Sequence, residues 1–377
     1  MLPLYSGMIE LTFRLIENAR SSGYLDGGGS RRPLSSAASS DAPPRQPSTP
    51  RGNCHGSSAG AVQPITIPKC AHDSRSYEWL LLCLRLMILE EVAFCRTDLA
   101  NPPMEATMSK TIMLIHGAWL NSRSWVGFKA RYEAKGFRVV APDWPLDDRS
   151  PAELRDAPDE RLARVGQREI VAHYEQIIRD LPEAPIIIGH SLGGVFVQHL
   201  LNRGLGVAGV AINPAPTPGV PLGVHAIVSA LPVFLDLFSW RKLKAMSLDF
   251  FRNRFAQTAP KGQTASLYEK YIVPTAGRVY WNGVVKPMKI RWDNPDRPPL
   301  LMIGGGKDLI ADASMTRAIY KKQSRAGTKT ELKIFEDRSH WTCMDAGWED
   351  VADFALNWAV ANARTDPAGA RLRAVAA

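Results

Sequence analysis

One serine in the 377-residue chain lies in a sequence context that favours nucleophilic chemistry. Residues Gly189–Gly193 read Gly-His-Ser-Leu-Gly, so Ser191 stands between two closely spaced glycines. The apolar run Ala184–Ile188 before them predicts a buried strand, and Val195–Arg203 after them predicts a helix. This order is typical of a strand–turn–helix that exposes the serine hydroxyl, while the helix dipole favours a developing anion.

A serine hydroxyl is a weak nucleophile at neutral pH, so it needs a base that is oriented by an acid. His340 follows the last predicted strand, and Asp308 follows the strand before it. Both residues therefore fall where open α/β sheets place their ligand crevices, in the chain order Ser, Asp, His that this architecture uses. Asp312 and Asp337 are weaker candidates for the acid, since Asp337 is too near His340 in sequence to face its ring easily.

The segment that follows the first predicted strand, His116–Trp119, reads His-Gly-Ala-Trp. Its glycine lets the backbone turn N–H groups toward Ser191. We expect the backbone N–H groups of Ala118 and Leu192 to form an oxyanion hole, in which each donor is worth about 3–4 kcal/mol of the barrier. The histidine of this segment is predicted to shape the loop rather than to act as a base.

The rest of the chain supplies the elements that must position these residues. From Lys110, short apolar runs rich in β-branched residues alternate with helical patterns such as Arg168–Asp180, which predicts α/β class. We expect a mostly parallel sheet of about six strands covered by helices. The predicted strands are Thr111–Ile115, Arg138–Ala141, Ala184–Ile188, Val207–Ile212, Leu300–Ile303 and Glu331–Phe335. Residues 214–298 break the alternation and predict a helical cap, inserted before the strand that carries Asp308.

These elements together resemble the α/β-hydrolase family over residues 108–364. The similarity is to small serine-esterase-like members, the plant-type esterase and hydroxynitrile lyase group, which also begin at the strand carrying the oxyanion loop. The resemblance implies a catalytic triad of Ser191, Asp308 and His340, with the two oxyanion donors named above. It implies nothing about the substrate.

Three departures separate the chain from particular members of this family. Dehalogenases and epoxide hydrolases carry an aspartate as nucleophile, where this chain has Ser191. Hydroxynitrile lyases carry threonine where this chain has Gly117, and lysine where it has Trp341. Carbon–carbon bond hydrolases and cofactor-free haloperoxidases share the triad, so these residues do not separate them from esterases.

The predicted cap indicates the polarity of the substrate. Its many aromatic residues predict an apolar pocket, and Trp119, His190 and Trp341 are further candidate pocket residues. Within Val220–Trp240 the only carboxylate is Asp236, which is typical of the core of a cap or of a weak contact with lipid. We expect an apolar or aromatic ester rather than a sugar or a phosphorylated compound.

Residues 1–107 differ from the rest of the sequence. Ser, Gly, Pro, Ala and Arg dominate from Ser21 to Pro68, a composition that cannot bury enough apolar surface to fold. We interpret 1–107 as a disordered or mis-assigned extension, 108–364 as the hydrolase domain, and 365–377 as a flexible tail. Four of the five cysteines lie in the extension, so no disulfide is predicted.

The net charge of +9 belongs entirely to the part after the extension, which holds 36 of the 46 basic and 27 of the 37 acidic residues. The basic residues are scattered, with one tight group at Arg241, Lys242 and Lys244, so a nucleic-acid partner is not expected. The sequence has no apolar run of the roughly 20 residues that a membrane helix needs. No zinc-protease, paired-cysteine or P-loop motif occurs, so neither a metal nor a cofactor is expected.

The sequence therefore predicts a cytoplasmic serine hydrolase that cleaves an apolar or aromatic carboxylic ester or a lysolipid. Two alternatives stay open at this stage. A carbon–carbon bond hydrolase or haloperoxidase would use the same triad, and a non-enzymatic ligand sensor would keep the fold and the pocket without turnover.

Overall fold

The computed structural model describes residues 109–365. The predicted extension 1–107 and all but the first residue of the predicted tail lie outside the described residues. Within 109–365, no helix is both long enough and apolar enough to cross a membrane.

Six parallel strands form the central sheet: β1 (Thr111–Ile115), β2 (Arg138–Val140), β3 (Ile186–His190), β4 (Ala208–Ile212), β7 (Leu300–Gly305) and β8 (Thr330–Phe335). Their order across the sheet is β2-β1-β3-β4-β7-β8. Every residue of β1, β3, β4 and β7 is buried, because helices cover both faces of the sheet. The predicted α/β class with a parallel sheet is confirmed.

Nine helices of six or more residues occur in the described chain. They are α1 (Val126–Glu133), α2 (Pro151–Asp156), α3 (Gln167–Asp180), α4 (Leu192–Asn202), α5 (Val224–Leu235), α6 (Thr264–Tyr271), α7 (Arg278–Val285), α8 (Ala313–Gln323) and α9 (Trp348–Asn362). Alternate residues of each central strand enter different cores: Met113 and Ile115 of β1 lie in one, and Ile112 and Leu114 lie in the other.

Two strands end later than the apolar pattern predicts. Strand β3 continues through Gly189 and His190, which pair with Ala211 and Ile212 of β4. Strand β7 continues to Gly305. Glycine has a low strand propensity, so the sequence pattern stops early while the hydrogen-bonded ladder does not. These extra residues bring the start of each following loop to the carboxyl edge of the sheet.

The predicted cap lies between β4 and β7. It contains α5, α6 and α7, a short helical turn (Leu248–Phe250) and a π-helical turn (Phe251–Phe255). A two-stranded antiparallel sheet of β5 (Leu243–Lys244) and β6 (Thr275–Ala276) also occurs in it and was not predicted, since two-residue strands leave no periodic pattern. The cap is thus inserted before the strand that carries Asp308.

Helix α4 is buried almost throughout, and it carries a buried titratable side chain, that of His199. Burial holds the pKa of His199 at about 4 against an ordinary 6.5, and the charges of Arg203 and Arg168 also lower it. Between these two pH values the unfolded chain binds a proton at this site that the folded chain does not. The free energy of unfolding therefore falls as the pH falls through this window.

When the pH falls from 8 to 5, we expect the free energy of unfolding to decrease by about 2 kcal/mol less in His199→Phe than in the wild type, because the variant has no imidazole to charge. Urea unfolding at both pH values measures this difference. Burial raises the pKa of Asp147, which makes the free energy of unfolding rise as the pH falls. This contribution is the same in the variant and in the wild type. Equal losses in the two proteins would contradict the prediction.

Candidate active site

Ser191 lies in the tight turn between β3 and α4. Its backbone has φ 55° and ψ −118°, a conformation that costs a non-glycine residue about 1–3 kcal/mol. Neighbouring glycines make the turn possible: a Cβ on Gly193 would lie 2.2 Å from the carbonyl oxygen of Ile115. The N–H of Ser191 donates to the carbonyl oxygen of Ile212 at 2.9 Å, which fixes the turn against β4. The structure therefore holds this serine in the strained turn that the sequence predicts.

The structure brings Ser191, His340 and Asp308 into one hydrogen-bonded chain. The Nε2 atom of His340 lies 2.9 Å from the Oγ of Ser191, and its Nδ1 lies 2.7 Å from Oδ2 of Asp308. The carboxylate accepts at Oδ2, so Nδ1 carries the proton and Nε2 is free to accept one from the serine. His340 is fully buried, and Asp308 is 2% exposed, so water screens this chain little.

Both oxygens of the Asp308 carboxylate have partners. Oδ1 accepts from the backbone N–H groups of Ile310 and Ala311 at 2.7 and 2.8 Å, while Oδ2 faces His340. The two backbone bonds fix the carboxylate beside His340. The two weaker candidates lie elsewhere: Asp312 accepts from the N–H of Met315 at the start of α8, and the exposed Asp337 pairs with Arg338.

The backbone N–H groups of Ala118 and Leu192 are both available for an oxyanion. Leu192 is the first residue of α4, so its N–H has no acceptor within the helix. Among the described residues, no acceptor lies within hydrogen-bonding range of the Ala118 N–H. The next residue, Trp119, has φ 62°, which turns the loop sharply after Ala118.

Gly117 lets the loop after β1 pass directly beside Ser191. A Cβ at this position would lie 2.7 Å from the Cβ of Ser191 and 3.0 Å from the carbonyl oxygen of His190. Real Cβ atoms do not approach this closely, so either the loop or the serine must shift. Because both carry groups of the site, the shift would displace one relative to the other.

We expect Gly117→Ala to lower kcat about 100-fold, since a displacement near 1 Å costs that much in a preorganised site. The matched control is Gly262→Ala, because nothing lies within 4 Å of a Cβ there. Steady-state kinetics on an ester, with circular dichroism to show that both variants fold, measures the effect. A kcat for Gly117→Ala within a factor of three of the control would show that this close approach does not position Ser191.

His116 connects the loop after β1 to the loop after β2. Its Nε2 accepts from the backbone N–H of Trp144 at 3.2 Å, so its Nδ1 carries the proton and donates to the carbonyl oxygen of Gly117 at 3.0 Å. Burial lowers the pKa of His116 to about 4, and Asp143 opposes that shift. The His116 ring is therefore neutral, and both of its nitrogens are hydrogen-bonded. It shapes the loop, as predicted, and has no nitrogen left to act as a base.

His190, a predicted pocket residue, lies behind His340. Its Nε2 donates to the backbone carbonyl oxygen of His340 at 2.9 Å, and the two ring centroids are 4.8 Å apart. Burial, and to a smaller extent the nearby His340, holds the pKa of His190 well below its usual range, so the ring is neutral. Its contacts position His340, and a role in a pocket stays a prediction.

Asn213 is a positioning residue that sequence reasoning did not find. It follows β4, has φ 43°, and donates from Nδ2 to the carbonyl oxygen of Ser339 at 2.9 Å. Its N–H donates to the carbonyl oxygen of Ile303 at 2.7 Å. Asn213 thereby ties the loop that carries His340 to the end of β4. Asn213 could have been identified from the sequence by its position directly after a buried strand, at the same edge of the sheet as Ser191.

Trp119 is 7% exposed and contacts the cap. Its Nε1 donates to the carbonyl oxygen of Lys244 at 3.2 Å, and its ring lies 5.4 Å from Tyr280 and 6.1 Å from Phe250 between centroids. The N–H of Val273 donates to its carbonyl oxygen. The loop after β1 is therefore held by cap residues.

Trp341, the residue after His340, is fully buried in an aromatic cluster. Its ring meets Phe251 edge-on at 5.1 Å and Tyr271 at 5.6 Å, and Phe255 touches both Trp341 and His340. The cluster joins the cap to the His340 loop. Whether Trp119 and Trp341 line a substrate pocket stays a prediction.

Several solved structures have a similar fold. An extracellular alpha/beta-hydrolase from a Paenibacillus species is 18% identical with a TM-score of 0.50, and the match covers 67% of this chain and 99% of that one. A monoacylglycerol lipase from Paleococcus ferrophilus is 18% identical, with a TM-score of 0.49 and coverage of 67% and 95%. A methylesterase from Arabidopsis is 17% identical, with a TM-score of 0.46 and coverage of 66% and 97%.

The first of these structures, at 18% identity, shows a shared fold and nothing about the substrate. A search of curated protein sequences finds no match. The model of the alpha/beta hydrolase family matches residues 112–354, which contain all six strands of the main sheet except the first residue of β1, together with Ser191, Asp308 and His340. The chain therefore belongs to the alpha/beta hydrolase family.

Proposed function

We propose that the protein is a cofactor-free serine hydrolase that cleaves a carboxylic ester through an acyl-enzyme on Ser191. One observation carries the proposal. The Oγ of Ser191, on a strained turn, is 2.9 Å from Nε2 of His340, whose Nδ1 is 2.7 Å from the fixed carboxylate of Asp308. This is the geometry by which a neutral hydroxyl becomes a nucleophile.

In the first half of the proposed reaction, Nε2 of His340 takes the hydroxyl proton as Oγ of Ser191 bonds to the carbonyl carbon. The carbonyl oxygen becomes an anion that accepts hydrogen bonds from the N–H groups of Ala118 and Leu192. The C–O bond to the alcohol then breaks, and the same proton passes from Nε2 to the leaving oxygen. Asp308 keeps its charge throughout and stabilises the imidazolium.

In the second half, His340 takes a proton from water as the water oxygen attacks the acyl carbon. A second oxyanion forms at the same two N–H groups. The bond from the acyl carbon to Oγ breaks, Ser191 recovers its proton from His340, and the carboxylic acid leaves. No redox step or metal is needed to balance either half.

An apolar or aromatic ester is the proposed substrate class. Two groups of aromatic residues adjoin the segments that carry His340 and Ala118 and support this choice: the cluster around Trp341, in which Phe255 contacts His340, and the group formed by Trp119, Phe250 and Tyr280. Burial holds the pKa of Tyr280 well above its usual range, so this group adds no charge. Surroundings of this kind favour an apolar acyl or alcohol group over a sugar or a phosphate.

A series of p-nitrophenyl esters of increasing acyl length tests the proposal. We expect turnover with a rapid burst of nitrophenol equal to the enzyme concentration when deacylation is the slower step. The longer, apolar acyl groups should have the lower KM. Binding of the esters without nitrophenol release would contradict the proposal and would favour a ligand sensor.

A further inference from the structure

Exposed apolar residues in the described chain are concentrated on the cap. Ten large hydrophobic residues are exposed in the part of the chain that the structure describes, and eight of these lie either within residues 222–238, in and around α5, or at 284–285, at the end of α7. We call these eight the apolar cap face. Helices α5 and α7 contact each other, with the rings of Phe234 and Trp281 5.1 Å apart, so the two groups belong to neighbouring elements.

Helix α5 presents apolar residues outward as well as inward. Val224, Val228 and Leu235 follow helical spacing along one face and are 49%, 36% and 60% exposed. The residues that pack inward are Ala226, Ser229 and Val233. The helix contains no Asp, Glu, Lys or Arg, whereas a surface helix ordinarily carries charged residues on its outer face. Leu237 and Phe238 extend the exposed face beyond the helix, at 54% and 64%.

Basic residues border the apolar cap face. Residues 220–246 and 278–292 together contain seven Lys or Arg and one acidic residue, Asp236, and so hold six of the nine excess positive charges of the chain. Asp236 is already paired with Lys242 and Lys244. The exposed basic side chains nearest in sequence to the apolar residues are Arg241, Lys242, Lys286 and Lys289. The fold thus gathers charges that look scattered in the sequence.

We propose that the apolar cap face docks on the surface of an anionic lipid bilayer. The apolar side chains would enter the boundary between headgroups and acyl chains, while the basic border contacts anionic headgroups. The guanidinium carbon of Arg241 lies 4.1 Å from the ring centroid of Trp240. Tryptophan is suited to this boundary because its ring is amphipathic. Lysine is depleted in protein–protein interfaces, which favours lipid over a protein partner. Docking needs no catalysis and stands apart from the proposed esterase activity.

Co-sedimentation of the full chain with vesicles tests the proposal. We expect binding to phosphatidylcholine vesicles that contain phosphatidylglycerol to exceed binding to phosphatidylcholine alone by about tenfold or more, and to weaken at high salt. The double variant Leu237→Ser/Phe238→Ser should bind the anionic vesicles about tenfold more weakly. The double variant Lys286→Gln/Lys289→Gln should lose a similar factor on the anionic vesicles and little on the neutral ones.

Two matched controls lie away from the cap. Val126→Ser removes a hydrophobic side chain that is 62% exposed on α1, and Lys321→Gln removes an exposed lysine on α8; both should bind as the wild type does. The cap variants should hydrolyse a short soluble ester at the wild-type rate, and Ser191→Ala should still bind vesicles, which separates docking from catalysis. Absence of binding to anionic vesicles, or equal binding by cap and control variants, would overturn the proposal. A dimer in solution that Leu237→Ser/Phe238→Ser dissociates would assign the face to a second copy instead.

Discussion

Ser191→Ala is expected to lower kcat for ester hydrolysis about 10⁶-fold, because no other group can form the acyl-enzyme. The KM should change little, since the methyl group of alanine fits the space of the serine and the oxyanion donors remain. Measurement requires protein made free of contaminating esterases, followed by nitrophenol release over hours.

Ser124→Ala is the matched control for this variant. Ser124 is also buried, and its Oγ donates to the carbonyl oxygen of Asn121 at 2.7 Å, outside the site. We expect its kcat to stay within a factor of two of the wild type, with some loss of stability from the missing hydrogen bond. If Ser191→Ala kept more than a hundredth of the wild-type kcat, Ser191 could not be the nucleophile.

Asp308→Asn is expected to lower kcat about 10⁴-fold with little change in structure. The amide oxygen of asparagine can still accept from the N–H groups of Ile310 and Ala311, so the side chain keeps its place. Its NH₂ group then faces Nδ1 of His340 and donates to it. That donation moves the imidazole proton to Nε2, so His340 can no longer accept the proton of Ser191.

Asp312→Asn tests whether this loss is specific to the orientation of His340. Asp312 lies four residues further along, and its oxygen caps α8, a role that asparagine also performs. We expect its kcat and thermal midpoint to match the wild type. A kcat for Asp308→Asn within tenfold of the wild type would mean that another group orients the histidine. The pH dependence of kcat would then be measured to identify that group.

The sequence alone predicts those parts of the fold that depend on local patterns. Strand β1 has the predicted bounds because the apolar run Ile112–Ile115, preceded by the β-branched Thr111, lies between the polar residues Lys110 and His116. The turn at Ser191 was predicted because its glycines can be identified by type and spacing. Asp308 and His340 were predicted from their place after strands, since parallel strands bring their carboxyl ends to one edge.

The contacts that position the site could not be predicted in this way. The hydrogen bond from His190 to the carbonyl oxygen of His340 joins residues 150 apart in sequence, and that from Asn213 to Ser339 joins residues 126 apart. Both use backbone acceptors, which leave no trace in residue types. The basic border of the cap is similar, because residues 220–246 and 278–292 are separated by more than thirty positions. The packing of α5 and of Ser239–Arg241 against α7 brings them together.

The most direct test of the account is to map where a fluorophosphonate probe reacts with the full chain. Such a probe bonds to a serine oxygen only when a neighbouring base activates it. We predict one adduct per chain, located by peptide mass spectrometry on Ser191, absent in Ser191→Ala and formed far more slowly in His340→Ala. An adduct on any other residue, or an unmodified chain, would contradict the assignment of Ser191 as the nucleophile activated by His340.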